Sequence, residues 1–294
     1  MQIFNKKRLR FIINPNSGTK SKKKIEKLIR RYIDQSKYDF DVCYTKAAKH
    51  ATELSLIAAR LKYDSVIAVG GDGTINEVSK PLIGSNTSLG IIPMGSGNGL
   101  ARHLKISQKP IEAIETINGF KNRFIDALQI NNHIFLTTAG IGFDAHIAHE
   151  FSKLKKRGFF SYANLVIRDC FCYKNKIFEL ILDGKKVIKK GFLLSFANSS
   201  QYGNDIFIAP LAKINDGFFR VAILKRPAFF ASLLTLFRLR NKTIHKSKYY
   251  ETIKCKEAII NKKNIIAHID GEPVFFDDGI KITVPSKKLK ILVS

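Results

Sequence analysis

No stretch of this 294-residue sequence reaches the ~18 consecutive apolar residues a membrane-spanning helix needs, so any membrane contact is expected to be peripheral. Cysteine is scarce. Cys43, Cys170, Cys172 and Cys255 form no C-x-x-C pair and no zinc-ligand spacing, which points to reduced thiols in a cytosolic protein. The run Met1-Gln2-Ile3-Phe4-Asn5-Lys6-Lys7 lacks the apolar stretch and cleavage site of a signal peptide, in keeping with a cytoplasmic location. Acidic residues are also few: 24 Asp and Glu stand against 50 Lys and Arg, a formal net charge of +26. That surplus favours polyanionic partners such as nucleic acid, anionic membrane or phosphorylated substrates, although lysines that only solvate the surface would give the same total. No helix-turn-helix, zinc module or aromatic single-strand platform is present, so nucleic acid is not an expected partner.

What the sequence does contain is the composition of a folded protein, with 45% hydrophobic and 25% charged residues over a length that suits two domains. The first third alternates strand and helix signals. Strands are expected at Leu9–Asn14, Asp39–Thr45, Ser65–Val69 and Ser88–Ile92, with helices over Lys20–Ser36, Ala47–Leu61 and about Ile75–Leu82. This order implies a parallel sheet with helices on its faces and with the strand-to-helix loops on one edge. The loops Asn14–Gly18, Thr45, Gly70–Thr74 and Met94–Asn98 should then converge. After about Asp126 the signals become mostly β, with a hairpin around Asn131-Asn132 and further strands at Ile177–Leu182, Val187–Ala197, Phe218–Leu224, Ile265–Ile269, Lys281–Val284 and Leu289–Val293. Helical insertions fall near Ala145–Tyr173 and Pro227–Leu239. The expected fold class is therefore α/β plus β: a parallel-sheet domain over 1–126 and a β-sandwich domain over 127–294.

Gly70-Gly71-Asp72-Gly73-Thr74 lies between a strand and a helix. Its glycines let the backbone approach a phosphate, and the following helix adds its positive N-terminus. Asp72 would repel that phosphate unless it engages Mg2+, a substrate hydroxyl or a ribose. Gly95-Ser96-Gly97-Asn98-Gly99 also follows a strand, but Leu100 breaks the G-x-G-x-x-G dinucleotide pattern, and no G-x-x-x-x-G-K-[ST] loop occurs. Two glycine-rich loops at neighbouring strand ends argue for one extended polyphosphate ligand.

Five segments, in order, resemble the diacylglycerol/sphingosine lipid kinase family: Asn14–Gly18, Gly70–Glu77 (GGDGTINE), Pro93–Arg102 (PMGSGNGLAR), Gly140–Asp144 (GIGFD) and Ile269–Glu272 (IDGE). The resemblance implies an NAD kinase-like nucleotide domain, a β-sandwich lipid-acceptor domain, and an active-site cleft between them. It also implies an ATP- and Mg2+-dependent transfer of phosphoryl to the hydroxyl of diacylglycerol, a sphingoid base or a similar lipid. ATP would contact Asn14, Pro15, Asn16, Ser17, Gly18 and Thr45, then Gly70, Gly71, Asp72, Gly73, Thr74, Asn76 and Glu77, and finally Gly95, Ser96 and Asn98. The proton acceptor falls on Glu272, with Asp270 orienting it or sharing the proton; Asp72 is the second choice of base, as in sphingosine-kinase-like members. Ala212–Phe218 resembles a structural Mg2+ loop, with Asp216 and the carbonyls of Lys213 and Phe218 as ligands. Asn215, where an acid is common, departs from that pattern, and a plain Asp-Gly turn would read the same way.

Two stretches could meet an anionic membrane. Phe151–Lys176 interleaves Lys153, Lys155, Lys156, Arg157 and Arg168 with Phe159, Phe160, Tyr162 and Phe171, while PAFFASLLTLFRL at Pro227–Leu239 lies among basic residues. An amphipathic helix covering the sandwich core would leave the same pattern. His146 and His149 have no further ligand at metal spacing and are expected to be ordinary core or solvated histidines. Two other readings remain open: an NAD kinase-like enzyme with a soluble acceptor, and a non-catalytic membrane binder. The resemblance also leaves a homodimer open.

Overall fold

Strands that are apolar along their whole length need cover on both faces, and the N-terminal part of the chain builds such cover. A computed structural model describes residues 6–17, 22–154, 159–170 and 172–294. The chain divides into two units, Met1–Ile125 with Lys287–Ser294, and Asp126–Ser286.

The first unit runs β1 (Lys7–Ile13), α1 (Lys22–Tyr32), β2 (Tyr38–Tyr44), α2 (His50–Arg60), β3 (Ser65–Gly70), α3 (Asp72–Ser79), β4 (Ser88–Pro93), α4 (Gly99–His103), α5 (Pro110–Gly119) and β5 (Lys121–Asp126). The sheet order is β2-β1-β3-β4, then the C-terminal strand Lys288–Val293, then β5. β1 pairs in parallel with both β2 and β3, and β3 with β4. Every residue of β3 and β4 is buried, as their Val66, Ile67, Val69, Leu89, Ile91 and Ile92 require. Helical spacing puts Ile25 and Ile29 of α1 inward, and Ala113, Ile114 and Ile117 of α5.

Two sequence expectations are corrected here. Helix α3 begins at Asp72 rather than Ile75, so Asp72-Gly73-Thr74 is its first turn and not loop. The C-terminal strand, expected in the second domain, lies in the first sheet, parallel to β4 with Ile291 opposite Leu89. Nothing in its alternating pattern says which sheet will accept it, because pairing is a long-range property.

The second unit comprises β6 (Leu128–Ile130), β7 (His133–Phe135), β8 (Thr138–Gly142), α6 (Phe143–Ser152), α7 (Phe159–Cys170), β9 (Lys176–Leu182), β10 (Lys185–Gly191), β11 (Leu193–Ala197), β12 (Phe219–Leu224), α8 (Phe229–Arg240), β13 (Tyr250–Cys255), β14 (Glu257–Ile260), β15 (Ile265–Ile269), β16 (Glu272–Phe276) and β17 (Ile280–Thr283). The C-terminal strand is β18. Two six-stranded sheets form, β10-β9-β14-β17-β6-β7 and β13-β12-β11-β8-β15-β16. Their alternate residues, among them Leu128, Phe135, Ile141, Phe196, Phe219 and Ile282, make the sandwich core. The Asn131-Asn132 hairpin joins β6 to β7, with Leu128 opposite Phe135 and Asn131 at φ 48°. The single strand expected over Val187–Ala197 is two, β10 and β11, which belong to different sheets. A second apolar cluster, with Phe143, Ile147, Leu165, Phe192, Leu224 and Ile244, ties α6 and α7 to β11 and β12. Among the described residues no helix is long and apolar enough to cross a membrane.

Candidate active site

The sheet order reverses between β1 and β3, and such a reversal opens a crevice at the strands' carboxyl ends. The loop after β1 is tied to the one after β3. Asn14 N–H donates to the Val69 carbonyl at 3.1 Å, and its side-chain Nδ2 donates to Thr74 Oγ1 at 3.0 Å. The Asn14 Oδ1 accepts from Asn16 N at 2.9 Å, and Ser17 Oγ donates to the Asn14 carbonyl at 3.0 Å, closing a tight turn around Pro15. Gly18 lies outside the described residues. Thr45, buried at the end of β2, donates its N–H to the Ile13 carbonyl at 2.9 Å. Glu77 Oε1 accepts from Lys49 N at 3.0 Å, and the Glu77 carbonyl accepts from Thr52 Oγ1 at 3.1 Å, which joins α3 to the start of α2. Asn76 accepts from Ser79 Oγ through its carbonyl at 2.8 Å.

The two glycine-rich loops touch. Met94 N–H donates to the Gly70 carbonyl at 2.8 Å, and a Cβ on Gly95 would stand only 2.7 Å from Gly71 Cα. Only glycine permits that approach. Asn98 holds the second loop closed from a left-handed conformation, φ 50°. Its Oδ1 accepts from Gly95 N at 3.0 Å, while Nδ2 donates to the Gly95 carbonyl at 2.7 Å and to Gln108 Oε1 at 2.8 Å. Arg102 Nε braces the Gly97 carbonyl at 3.0 Å, and Ser96 is exposed at the tip.

Asp72 explains itself in this setting. Its Oδ2 accepts from Asn98 N and its Oδ1 from Gly99 N, both at 2.8 Å. The carboxylate thus sits on the amides that open α4, where its charge is stabilised, rather than among amides free for a phosphate. Among the described residues the amide end of α3 carries no side-chain cap, with Gly71 in the N-cap position and Gly73 exposed in the first turn. An uncapped helix N-terminus fed by glycine backbone is a ready anion site. Sequence reasoning found Asp72 and Asn98 but not Gly99, Arg102 or Gln108, which brace the loop; their signal is only their closeness to Asn98 in the chain.

In the second unit Asp270 and Glu272 play different parts. Ile269 and Glu272 face each other across a two-residue turn, with Asp270 at φ 48° and Gly271 at φ 86°, the two left-handed residues of a type I′ hairpin. Asp270 Oδ2 accepts from Leu136 N at 3.0 Å. Its Oδ1 accepts from Thr137 N at 2.9 Å, Thr137 Oγ1 at 2.5 Å and Thr138 N at 3.2 Å. Asp270 therefore staples the hairpin to the turn between β7 and β8. Glu272 opens the edge strand β16, is exposed, and its carboxylate has no hydrogen-bond or ion-pair partner among the described residues.

Beneath this hairpin lies a buried polar group. Asp144 Oδ2 meets His268 Nε2 at 3.0 Å and accepts from Tyr202 Oη at 3.0 Å, while Oδ1 accepts from Ala145 N at 2.8 Å. Burial, with the Asp144 charge beside it, raises the Tyr202 phenol well above its ordinary value, so it stays a donor. A Cβ on Gly140 would overlap Asp144 Oδ2 and stand 2.7 Å from His268 Nε2, which is the packing reason for the first glycine of GIGFD. His146 is paired with Asp169 at 2.8 Å, and burial pushes the Cys255 thiol up to about 12, so neither is poised as a metal ligand.

The residues expected to hold Mg2+ do not fit it. Asp216 Oδ2 is paired with Lys254 Nζ at 3.0 Å, and Oδ1 accepts from Phe218 N at 3.1 Å. Lys254 Nζ also lies 3.9 Å from the centre of the Phe218 ring, and Lys256 Nζ 5.0 Å from it. The one carboxylate of the set Lys213, Asp216 and Phe218 is thus already neutralised by an ammonium, and two lysines crowd the loop. Among the described residues no cluster of three His, Cys, Asp or Glu side chains could hold a metal.

Residues 8–130 match the family described as "Diacylglycerol kinase catalytic domain", and residues 137–292 match "YegS C-terminal NAD kinase beta sandwich-like domain". The "Diacylglycerol kinase" of Bacillus subtilis (strain 168) is 31% identical over 273 residues, covering 90% of each chain. That of Staphylococcus epidermidis strain RP62A is 30% identical over 288 residues, covering 91% of this chain and 86% of its own. The crystal structure of a diacylglycerol kinase from Bacillus anthracis str. Sterne superposes with a TM-score of 0.74 over 98% of this chain and 97% of that one. At 18% identity that likeness speaks for the fold alone. With both units matched and the relatives aligned nearly end to end, the chain belongs to the diacylglycerol kinase family, phosphotransferases that act on a lipid alcohol.

Proposed function

We propose that the protein transfers the γ-phosphoryl group of ATP, brought in as its Mg2+ complex, to the hydroxyl of a long-chain lipid, with diacylglycerol as the first acceptor to test and a sphingoid base as the second. The observation that carries the nucleotide half is the lock between Asp72 and the amides of Asn98 and Gly99. It joins two glycine-rich loops at the carboxyl ends of β3 and β4 and leaves for phosphate the N-terminus of α3, which has no side-chain cap among the described residues. In this reading Asn14, Thr74, Ser96 and the backbone from Gly71 to Thr74 line the triphosphate, and Asp72 is a positioning residue. Glu272 is the proposed proton acceptor: a carboxylate with no partner among the described residues can take the proton that the lipid hydroxyl loses. As the oxygen–phosphorus bond forms, the bond from the γ-phosphorus to the bridging oxygen breaks and ADP leaves. Positioning and charge neutralisation supply most of the rate in such transfers.

The acceptor is identified by incubating the protein and radiolabelled ATP with diacylglycerol, sphinganine, ceramide, phosphatidylglycerol and NAD in mixed micelles. Labelled phosphatidic acid is expected. Label in NAD alone would replace this reading with that of a soluble-acceptor kinase.

A further inference from the structure

Helix α8 is inverted. A helix at the edge of a protein usually turns its apolar stripe inward and its polar residues out. Here Phe230, Leu233, Leu234 and Phe237, spaced i, i+3, i+4 and i+7 along one face, are exposed by 86%, 75%, 50% and 62%. Among the described side chains of this helix the buried one is Thr235, with Ala231 and Ser232 half-buried nearby. The sequence pattern suggested a cover for the sandwich core, but among the described side chains of the helix only Leu239 at the far end packs against the second apolar cluster.

Along the segment that carries this stripe the charge has one sign. From Lys225 to Tyr250 there is no Asp or Glu, while Lys225, Arg226, Arg238, Arg240, Lys242, Lys246 and Lys248 are all basic. Lys225, Arg240, Lys242, Lys246 and Lys248 are exposed. An exposed apolar stripe flanked in the chain by exposed cations fits a surface that is apolar within and anionic at its boundary, which is the chemistry of an anionic bilayer. A second copy of the chain would bring an equally basic rim against this one. At 12 residues, about 18 Å, the helix is too short to span and long enough to lie flat.

We propose that α8 is a membrane-docking helix that lies in the interface of an anionic lipid bilayer, its Phe230–Leu233–Leu234–Phe237 stripe among the acyl chains and Arg240, Lys242, Lys246 and Lys248 on the headgroups. The proposal stands on exposure and charge, and rests on the lipid-kinase reading only for why the protein visits a membrane. The other basic–aromatic stretch carries no part of it: Lys155, Lys156, Arg157 and Phe171 lie outside the described residues.

The test is co-sedimentation of the full chain with vesicles of phosphatidylcholine alone and of phosphatidylcholine with about 30 mol% phosphatidylglycerol, at low and high salt. Binding to the anionic vesicles is expected, weakened by salt. It should fall ~100-fold in a Phe230→Ser, Leu233→Ser, Phe237→Ser triple variant. A Lys242→Gln, Lys246→Gln, Lys248→Gln variant should lose the preference for anionic lipid while keeping the wild-type thermal midpoint. Equal binding by wild type and both variants overturns the proposal. So does a dimer in buffer that the triple serine variant dissociates, or a single-stranded RNA complex that this variant alone abolishes. Turnover of short-chain diacylglycerol in non-ionic detergent micelles, measured alongside, tests the kinase reading separately: it should survive both variants.

Discussion

At the scale of single residues, three carboxylates that look alike in sequence separate by what they touch. Asp72 and Asp270 each accept from backbone amides, and Glu272 does not. Glu272→Gln should therefore lower kcat by ~10²-fold or more with little change in KM for ATP. Asp72→Asn should raise KM for ATP as well, because the loop carrying Ser96 loses its anchor. Steady-state kinetics on both variants decide this, and a near-normal kcat in Glu272→Gln would remove it from the mechanism. Loss of water around the His103 ring, with Arg123 nearby, lowers its proton affinity to about 4 from 6.5. A depressed value means the unfolded chain binds the proton first as pH falls. The stability His103 contributes is full above pH 6.5 and is lost on the way to about pH 4. Thermal midpoints across that window should fall more steeply in wild type than in His103→Gln; parallel curves would refute the assignment. Motif resemblance could single out Asp72 and Glu272 as site residues. It could not single out the amides that occupy Asp72, since they belong to residues 26 and 27 positions away.

At the scale of elements, the most informative departure is β18. Removing residues 287–294 strips the strand between β4 and β5, with buried Leu289, Ile291 and Leu292. That change exposes the apolar edge of β4 as well as deleting about three large buried side chains, each worth ~1.5–3 kcal/mol. The shortened chain should aggregate or unfold at much lower denaturant, read by urea titration; a wild-type midpoint would show that β5 can close the sheet alone. In the second unit, Gly140→Ala would press a methyl group into the buried Asp144–His268 pair. Loss of about 2–4 kcal/mol is expected in the same titration. The strand and helix periodicities that announced β1–β4 are local. The same logic failed at Val187–Ala197, where Lys189, Lys190 and Gly191 lie at the point at which the chain changes sheets but were absorbed into one strand pattern.

At the scale of the whole molecule, a net charge of +26 works against compaction, because like charges are closer in the folded state. Raising NaCl from about 0.05 M to about 0.5 M shortens the screening length several-fold and should raise the thermal midpoint. A midpoint that falls with salt would mean that ion pairs such as Arg10–Asp41 outweigh the repulsion. The same charge surplus, concentrated without a single acid along Lys225–Tyr250, became interpretable only once α8 was seen to turn its leucines outward.

The sequence by itself determined the alternation of elements, the two glycine-rich loops and the collinear motifs that mark a lipid kinase, because these depend on neighbours in the chain: strand and helix periods, turn residues and amides exposed by glycine. The tertiary structure alone decided that β18 belongs to the first sheet, that Asp72 and Asp270 are anchors, that Lys254 pairs with the Asp216 carboxylate, and that α8 faces outward. Each of those depends on which distant group arrives to satisfy a charge, a hydrogen bond or a bare edge, and one residue's local pattern holds no record of its distant partner.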